Sequence, residues 1–93
     1  VKVVIYTKTT CPFCDKAKDW LDAHLIEWKA QVFDDFAERQ AMYDSLGLTG
    51  AERSVPQILV VDTVDGKEEV VEHIKGFTGL IDSGLENRAA TIF

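Results

Sequence analysis

The stretch Lys8-Thr9-Thr10-Cys11-Pro12-Phe13-Cys14 constrains this chain more than any other. It holds both cysteines, three positions apart, between the β-branched run Val1 to Thr7 and an amphipathic segment of helical periodicity. Proline directly after the first cysteine suits the first position of a helix, where no N–H is needed and the fixed φ is already right. Cys11 then takes the N-cap, its sulfur facing the free N–H groups of Phe13 and Cys14 as a capping oxygen would. Such donors stabilise a thiolate far more than a thiol. Lowering a thiol from its ordinary pKa costs about 1.4 kcal/mol per unit, and a helix terminus contributes only about 0.3–2 kcal/mol. Direct N–H···S bonds and a cation must add the rest. Lys8 is the nearest cation, and Asp15 opposes it. Cys14, one turn inside the helix, is expected to be less exposed and less acidic. Cys11 is therefore assigned as the attacking sulfur and Cys14 as the resolving one.

The remainder of the composition narrows the class. With 46% apolar residues, 93 residues suffice for one domain spanning 1–93. A net charge of -6 argues against nucleic acid or an anionic membrane as partner. The longest apolar runs, Val3 to Tyr6 and Ile58 to Val61, are too short to span a bilayer. One Cys-x-x-Cys pair cannot staple a secreted scaffold, so a reducing, cytoplasmic setting is expected. Zinc asks for four ligands, and only His24 and His73 stand beside the cysteines as soft partners, so no metal is expected.

Read in order, Val1 to Thr7 forms a strand buried on both faces. Cys11 opens a helix to about His24, with Phe13, Ala17, Trp20, Leu21 and Leu25 along one stripe. Ile26 to Phe33 alternates like a strand with one buried face carrying Ile26, Trp28, Ala30 and Val32. Asp35 with Glu38 has the spacing of a capping box, starting a second helix that ends near Leu46. Gly47 to Ser54 is a loop, Gln57 to Val61 a buried strand, and Asp65-Gly66 a hairpin turn leading into a strand from Lys67 to His73. The charges Lys67, Glu68, Glu69 and Glu72 suit a sheet edge. Thr78 is expected to cap a last helix over Leu80 to Ala89, with Ile81, Leu85 and Ala89 inward and Gly84 weakening it. The order βαβαββα gives an α/β fold: a four-stranded mixed sheet with a parallel first pair, an antiparallel final hairpin, and helices on both faces.

Three segments in this order resemble the glutaredoxins, over nearly the whole chain. Lys8-Thr9-Thr10-Cys11-Pro12-Phe13-Cys14 is similar to the family's Lys-x-x-Cys-Pro-Tyr-Cys, Arg53-Ser54-Val55-Pro56-Gln57-Ile58 to its Arg-Thr-Val-Pro-Gln-Ile, and Gly76-Phe77-Thr78 to the glycine-rich turn before its last helix. The resemblance implies a thioredoxin-like fold and a cis Val55-Pro56 bond. It also implies a glutathione site: Lys8 and Arg53 for the glycine carboxylate, Val55 for the cysteine moiety, and the turn Phe77, Thr78 and Gly79 for the γ-glutamyl end. Phe13 is expected to line the groove. The sequence departs from the family at Lys75, where a glycine is usual, and at Gly79, where an aspartate is frequent.

The expected activity is glutathione-dependent thiol-disulfide exchange on protein disulfides and glutathionylated thiols, by a monomer with glutathione as co-substrate. Two alternatives stand beside it. One is a ribonucleotide-reductase redoxin reduced by thioredoxin reductase; the other is a glutathione-ligated iron-sulfur scaffold, disfavoured by Pro12 and the second cysteine.

Overall fold

The computed structural model describes residues 2–85. Its elements are β1 (Lys2–Thr7), α1 (Pro12–Ala23), β2 (Trp28–Val32), α2 (Phe36–Ser45), a 3-10 turn (Gly50–Glu52), β3 (Gln57–Val64), β4 (Lys67–Lys75) and α3 (Gly76–Asp82). The four strands form one sheet in the order β2-β1-β3-β4. β1 pairs parallel with β2, Val3 opposite Trp28, and antiparallel with β3, Ile5 opposite Ile58. β3 and β4 make the antiparallel hairpin. Its turn uses Asp65 and Gly66, both at positive φ, as a two-residue hairpin requires. This is the mixed sheet that the strand and helix order implies, in the thioredoxin-like arrangement that the resemblance implies.

Alternation along the strands builds two cores. Val3 and Ile5 of β1, Ile58 and Val60 of β3 and Ile74 of β4 pack with Ala17 and Leu21 of α1 and Leu80 of α3. Each large side chain sealed there contributes about 1.5–3 kcal/mol. Around α2, Met42, Tyr43 and Leu48 form a smaller cluster, joined by Tyr6, Phe33 and Val55. The second cluster borders the Cys11 loop, so α2 builds one wall of the site.

Both long helices end in the same way. After α1, Leu25 N–H bonds to Asp22 O and Ile26 N–H to Leu21 O; after α2, Gly47 N–H bonds to Asp44 O and Leu48 N–H to Tyr43 O. These are Schellman closures with a residue at positive φ, Leu25 in one and Gly47 in the other. Leu25 is thereby turned out, 92% exposed, instead of continuing the α1 stripe. Ile26 takes its place in the core and lies before β2, not in it.

Three further expectations are corrected. β2 is the sheet's outer strand, so only Trp28 packs against the core while Ala30 and Val32 are exposed. α3 starts at Gly76, with Lys75 at the N-cap and no side-chain cap; Thr78 lies inside the first turn. The chain turns at Gly76, which has positive φ and whose N–H bonds to Pro56 O, and so the helix begins before Thr78 is reached. It stops at Asp82 because Gly84 again takes positive φ, and Leu80 and Leu85 are buried while Ile81 is exposed. The expected inward position of Ala89 lies outside the described residues.

Candidate active site

Cys11 sits at the N-cap of α1 with extended backbone, and Pro12 occupies the first turn. The two cysteines form a disulfide. Cys14 N–H donates to Cys11 Sγ at 3.1 Å, the capping contact that the Cys-Pro pair implies. Cys14 is sealed at 0% exposure, whereas Cys11 retains 7%. Access from solvent thus favours the first sulfur. Phe13, between them, is 57% exposed, with Lys16 Nζ 5.2 Å from its ring centroid. The loop before Cys11 is pinned by Asp34, which accepts from Thr9 N–H at 2.7 Å and from the Thr9 hydroxyl. Those two bonds hold the Asp34 carboxyl below its ordinary range, with smaller help from Arg39 and Lys8.

Facing Cys11 is the loop that ends in the Val55-Pro56 bond, which is cis. Val55 O lies 3.8 Å from Cys11 Sγ. Between this loop, the Cys11 turn and α2 runs an open groove of about 470 Å³. Lys8, Cys11 and Phe13 border it on one side, Arg53, Ser54 and Val55 on the other, and Arg39, Gln40 and Tyr43 of α2 close the end. None of its lining residues is acidic. Burial pushes the Tyr43 phenol above its usual value, and Arg39 and Arg53 act in the opposite sense.

Arg53 is held before any ligand arrives. Its Nε donates to Leu48 O at 3.0 Å, one Nη to Gln40 Oε1 at 2.8 Å, and the other to Asp44. Arg39 is fixed likewise, donating to Phe33 O at 2.9 Å and Asp34 O at 3.2 Å. The contribution of α2 was missing from the sequence reading. Its signal was present: Phe36, Arg39, Gln40 and Tyr43 recur at helical spacing, and that stripe mixes charge with aromatics where a core stripe would be apolar.

Of the residues proposed from sequence, Lys8, Cys11, Phe13, Arg53 and Val55 meet at the groove. Cys14 and Pro56 are buried behind it. Phe77 packs on the larger core, Thr78 is exposed, and Gly79 lies against Ile74, none of them lining the groove. Lys75 forms an ion pair with Glu52 at the start of α3. Its partner's carboxyl is held below the usual range chiefly by that contact. A smaller cleft of about 290 Å³ lies at the other end of β1, between Lys2, Trp28 and Glu68, and includes neither cysteine. Among the described residues no three His, Cys, Asp or Glu side chains gather as a metal site, and no helix is long and apolar enough to cross a membrane.

A Cys-x-x-Cys disulfide opening the first helix, opposite a cis-proline loop on this sheet, defines a thiol-disulfide oxidoreductase of thioredoxin-like fold. The glutaredoxin family model matches residues 3–76. Glutaredoxin 1 from Francisella tularensis, solved in complex with cacodylate, is 33% identical, superposes with a TM-score of 0.67 and is covered to 96%, as is this chain. A probable glutaredoxin from Synechocystis is 44% identical over 66% of this chain and 54% of its own length. Glutaredoxin 1 of Rickettsia conorii is 28% identical over 96% of this chain and 85% of that protein. The chain belongs to the glutaredoxin family.

Proposed function

We propose that this protein reduces protein disulfides and glutathionylated thiols at the expense of glutathione, with Cys11 as nucleophile. The observation that carries the reading is the asymmetry of the pair: Cys11 reaches the groove and receives a helix N–H, while Cys14 is sealed. In the reduced protein the Cys11 thiolate attacks one sulfur of the substrate disulfide, forming a mixed disulfide and expelling the other sulfur as a thiolate. With a protein partner, Cys14 gives up its proton and attacks Cys11 Sγ, releasing the partner thiol and closing the Cys11-Cys14 disulfide. Two glutathione molecules then reduce that disulfide in two exchanges and leave as glutathione disulfide. With a glutathionylated substrate, Cys11 takes up the glutathionyl group and a second glutathione removes it.

The groove suits the glycine and cysteine parts of the tripeptide. Lys8, Arg39, Arg53 and Gln40 supply cations and an amide for its glycine carboxylate, the Val55 backbone pairs with its cysteine, and the γ-glutamyl end leaves the groove for the turn at Phe77, Thr78 and Gly79. Lys75 and Gly79 favour a second reading, because they stand where the family has a glycine and, frequently, the aspartate that meets the γ-glutamyl amine. On that reading thioredoxin reductase supplies the electrons and ribonucleotide reductase is one candidate protein substrate. A reducing compartment such as the cytoplasm fits either route.

The test is glutathione-coupled reduction of a small glutathionyl mixed disulfide by the native protein, Cys14→Ser and Cys11→Ser. Turnover is expected in the first two and absent in the third. Activity retained in Cys11→Ser would overturn the nucleophile. Inactivity toward this substrate, with protein disulfides still reduced through thioredoxin reductase, would select the second reading.

A further inference from the structure

The loop that faces Cys11 is held from behind by a side chain outside the groove. Gln57, the first residue of β3, is fully buried, and its amide nitrogen donates to Ser54 O at 2.7 Å and Glu52 O at 3.4 Å. An amide that spends both protons on carbonyls presents only its oxygen elsewhere. That oxygen lies 2.7 Å from His73 Nε2, so Nε2 carries the proton and donates. His73 stands opposite Leu59 in the β3–β4 register and is thus diagonal to Gln57 on the same face. The chain of contacts runs from β4, through one buried amide, to the carbonyls immediately before Val55. We propose that His73 is a positioning residue for exchange at Cys11, acting through Gln57 to fix the segment Glu52 to Val55. The proposal rests on the assignment of Val55 to the cysteine moiety of glutathione.

The physical reason is an accounting of buried polar groups. Without His73, the Gln57 oxygen has no other donor among the described residues, and an amide buried with an unmet oxygen re-orients or admits water. Either response releases the carbonyls of Ser54 and Glu52 from a fixed donor. The Lys75–Glu52 ion pair and the Gly76 N–H to Pro56 O bond do not involve His73 and keep the loop attached. Loss of His73 therefore loosens the alignment of Val55 without unfolding the segment. Substrate binding depends on that alignment; the nucleophilicity of Cys11, set at the start of α1, does not.

The experiment compares native protein, His73→Leu and His73→Gln, the last because a glutamine N–H can replace Nε2–H. The substrate is the mixed disulfide of glutathione and 2-mercaptoethanol. His73→Leu is expected to raise KM about tenfold, the scale of one lost hydrogen bond at a buried group, with kcat nearly unchanged, and His73→Gln to recover most of it. Backbone amide exchange at Ser54 and Val55, read by NMR without substrate, is expected to speed up in His73→Leu and to return in His73→Gln. An unchanged exchange rate in His73→Leu, or kcat falling while KM stays fixed, overturns the proposal. If the native protein shows no turnover, the functional reading fails, and the amide rates still decide the role of His73. Should His73→Leu not fold, the native protein and His73→Gln decide: a proton on Nε2 of the native ring, with Ser54 and Val55 exchange equal in the two proteins, supports the proposal, and a proton on Nδ1 in place of Nε2, or faster exchange in His73→Gln, overturns it.

Discussion

At the residue scale, the sulfur pair was the most legible part of the chain, because proline at the first turn and cysteine at the cap leave little freedom locally. The roles of Lys8 and Val55 at the groove came from the family resemblance, and the structure brings both beside Cys11. Arg53 was also legible as a groove residue, but its commitments were not, since Gln40, Asp44 and Leu48 reach it only through the fold. That prior engagement leads to a prediction. Arg53→Met is expected to lower stability by about 1–3 kcal/mol, because Leu48 O loses its side-chain donor in a buried setting. Urea unfolding of the oxidised protein measures this, and a rise in KM for the glutathionyl substrate should accompany it. Unchanged stability would mean that Arg53 does not tie the loop to α2. Asp34→Ala is expected to release Thr9 and to raise the rate at which Cys11 is alkylated in the reduced protein, as the loop before the cap becomes freer.

At the element scale, the strands and helices of the described residues are those the sequence implies, and the errors fall at their ends and in which face is buried, as at Ala30, Val32 and Ile81. Periodicity identifies a helix well but carries no information on where the chain leaves it. Leu25 extended the α1 stripe by spacing alone, yet a closing turn with positive φ claimed it, and no glycine announced the turn. Gly47 announced the equivalent turn after α2. The two closures allow a paired prediction. Leu25→Gly is expected to stabilise the fold by up to about 1 kcal/mol, since an L side chain in the left-handed region costs roughly 1–2 kcal/mol and glycine's extra unfolded freedom offsets part of the gain. Gly47→Ala is expected to destabilise by a similar amount through backbone strain alone, because a Cβ there would meet nothing within 4 Å. Thermal midpoints of both variants check the signs. A destabilised Leu25→Gly would show that glycine's added freedom in the unfolded chain outweighs the strain relieved at Leu25. α3 was misread for a related reason: Gly76 and Gly84 delimit it, and a threonine with capping chemistry between them suggested a later start.

At the scale of the whole molecule, protonation couples distant parts of the fold to one stability curve. His73 is held below its ordinary value near 6.5, first by burial and then by Lys75, with Glu52 acting in the opposite sense. As pH falls the unfolded chain therefore binds the His73 proton before the native protein does. Stability from this group is complete above the ordinary value, declines as pH falls through it toward the lowered native value, and is then constant. The carboxyls of Asp34, Glu52 and Glu68 are held low by hydrogen bonds from Thr9, Lys75 and Lys2 respectively. Their contribution is present above the ordinary carboxylate range and disappears as pH falls through their native values. Urea unfolding of the disulfide form, from about pH 8 to about pH 3, should show two declines, the first absent in His73→Gln. A single decline confined to the acid range in the native protein would contradict the His73 part. The placement of the aromatics has a practical result as well. Trp20 and Trp28 both pack on the larger core, and Trp28 Nε1–H is tied to Asp22 at 2.7 Å. Trp20 is nine residues beyond Cys11, about 13 Å along the helix axis. The ring beside the reactive sulfur is a phenylalanine, which is almost dark when excited at the tryptophan band. Intrinsic emission of this protein is thus a reporter of the body of the fold, and redox titrations followed by it need an indole introduced at Phe13 to gain a signal from the groove.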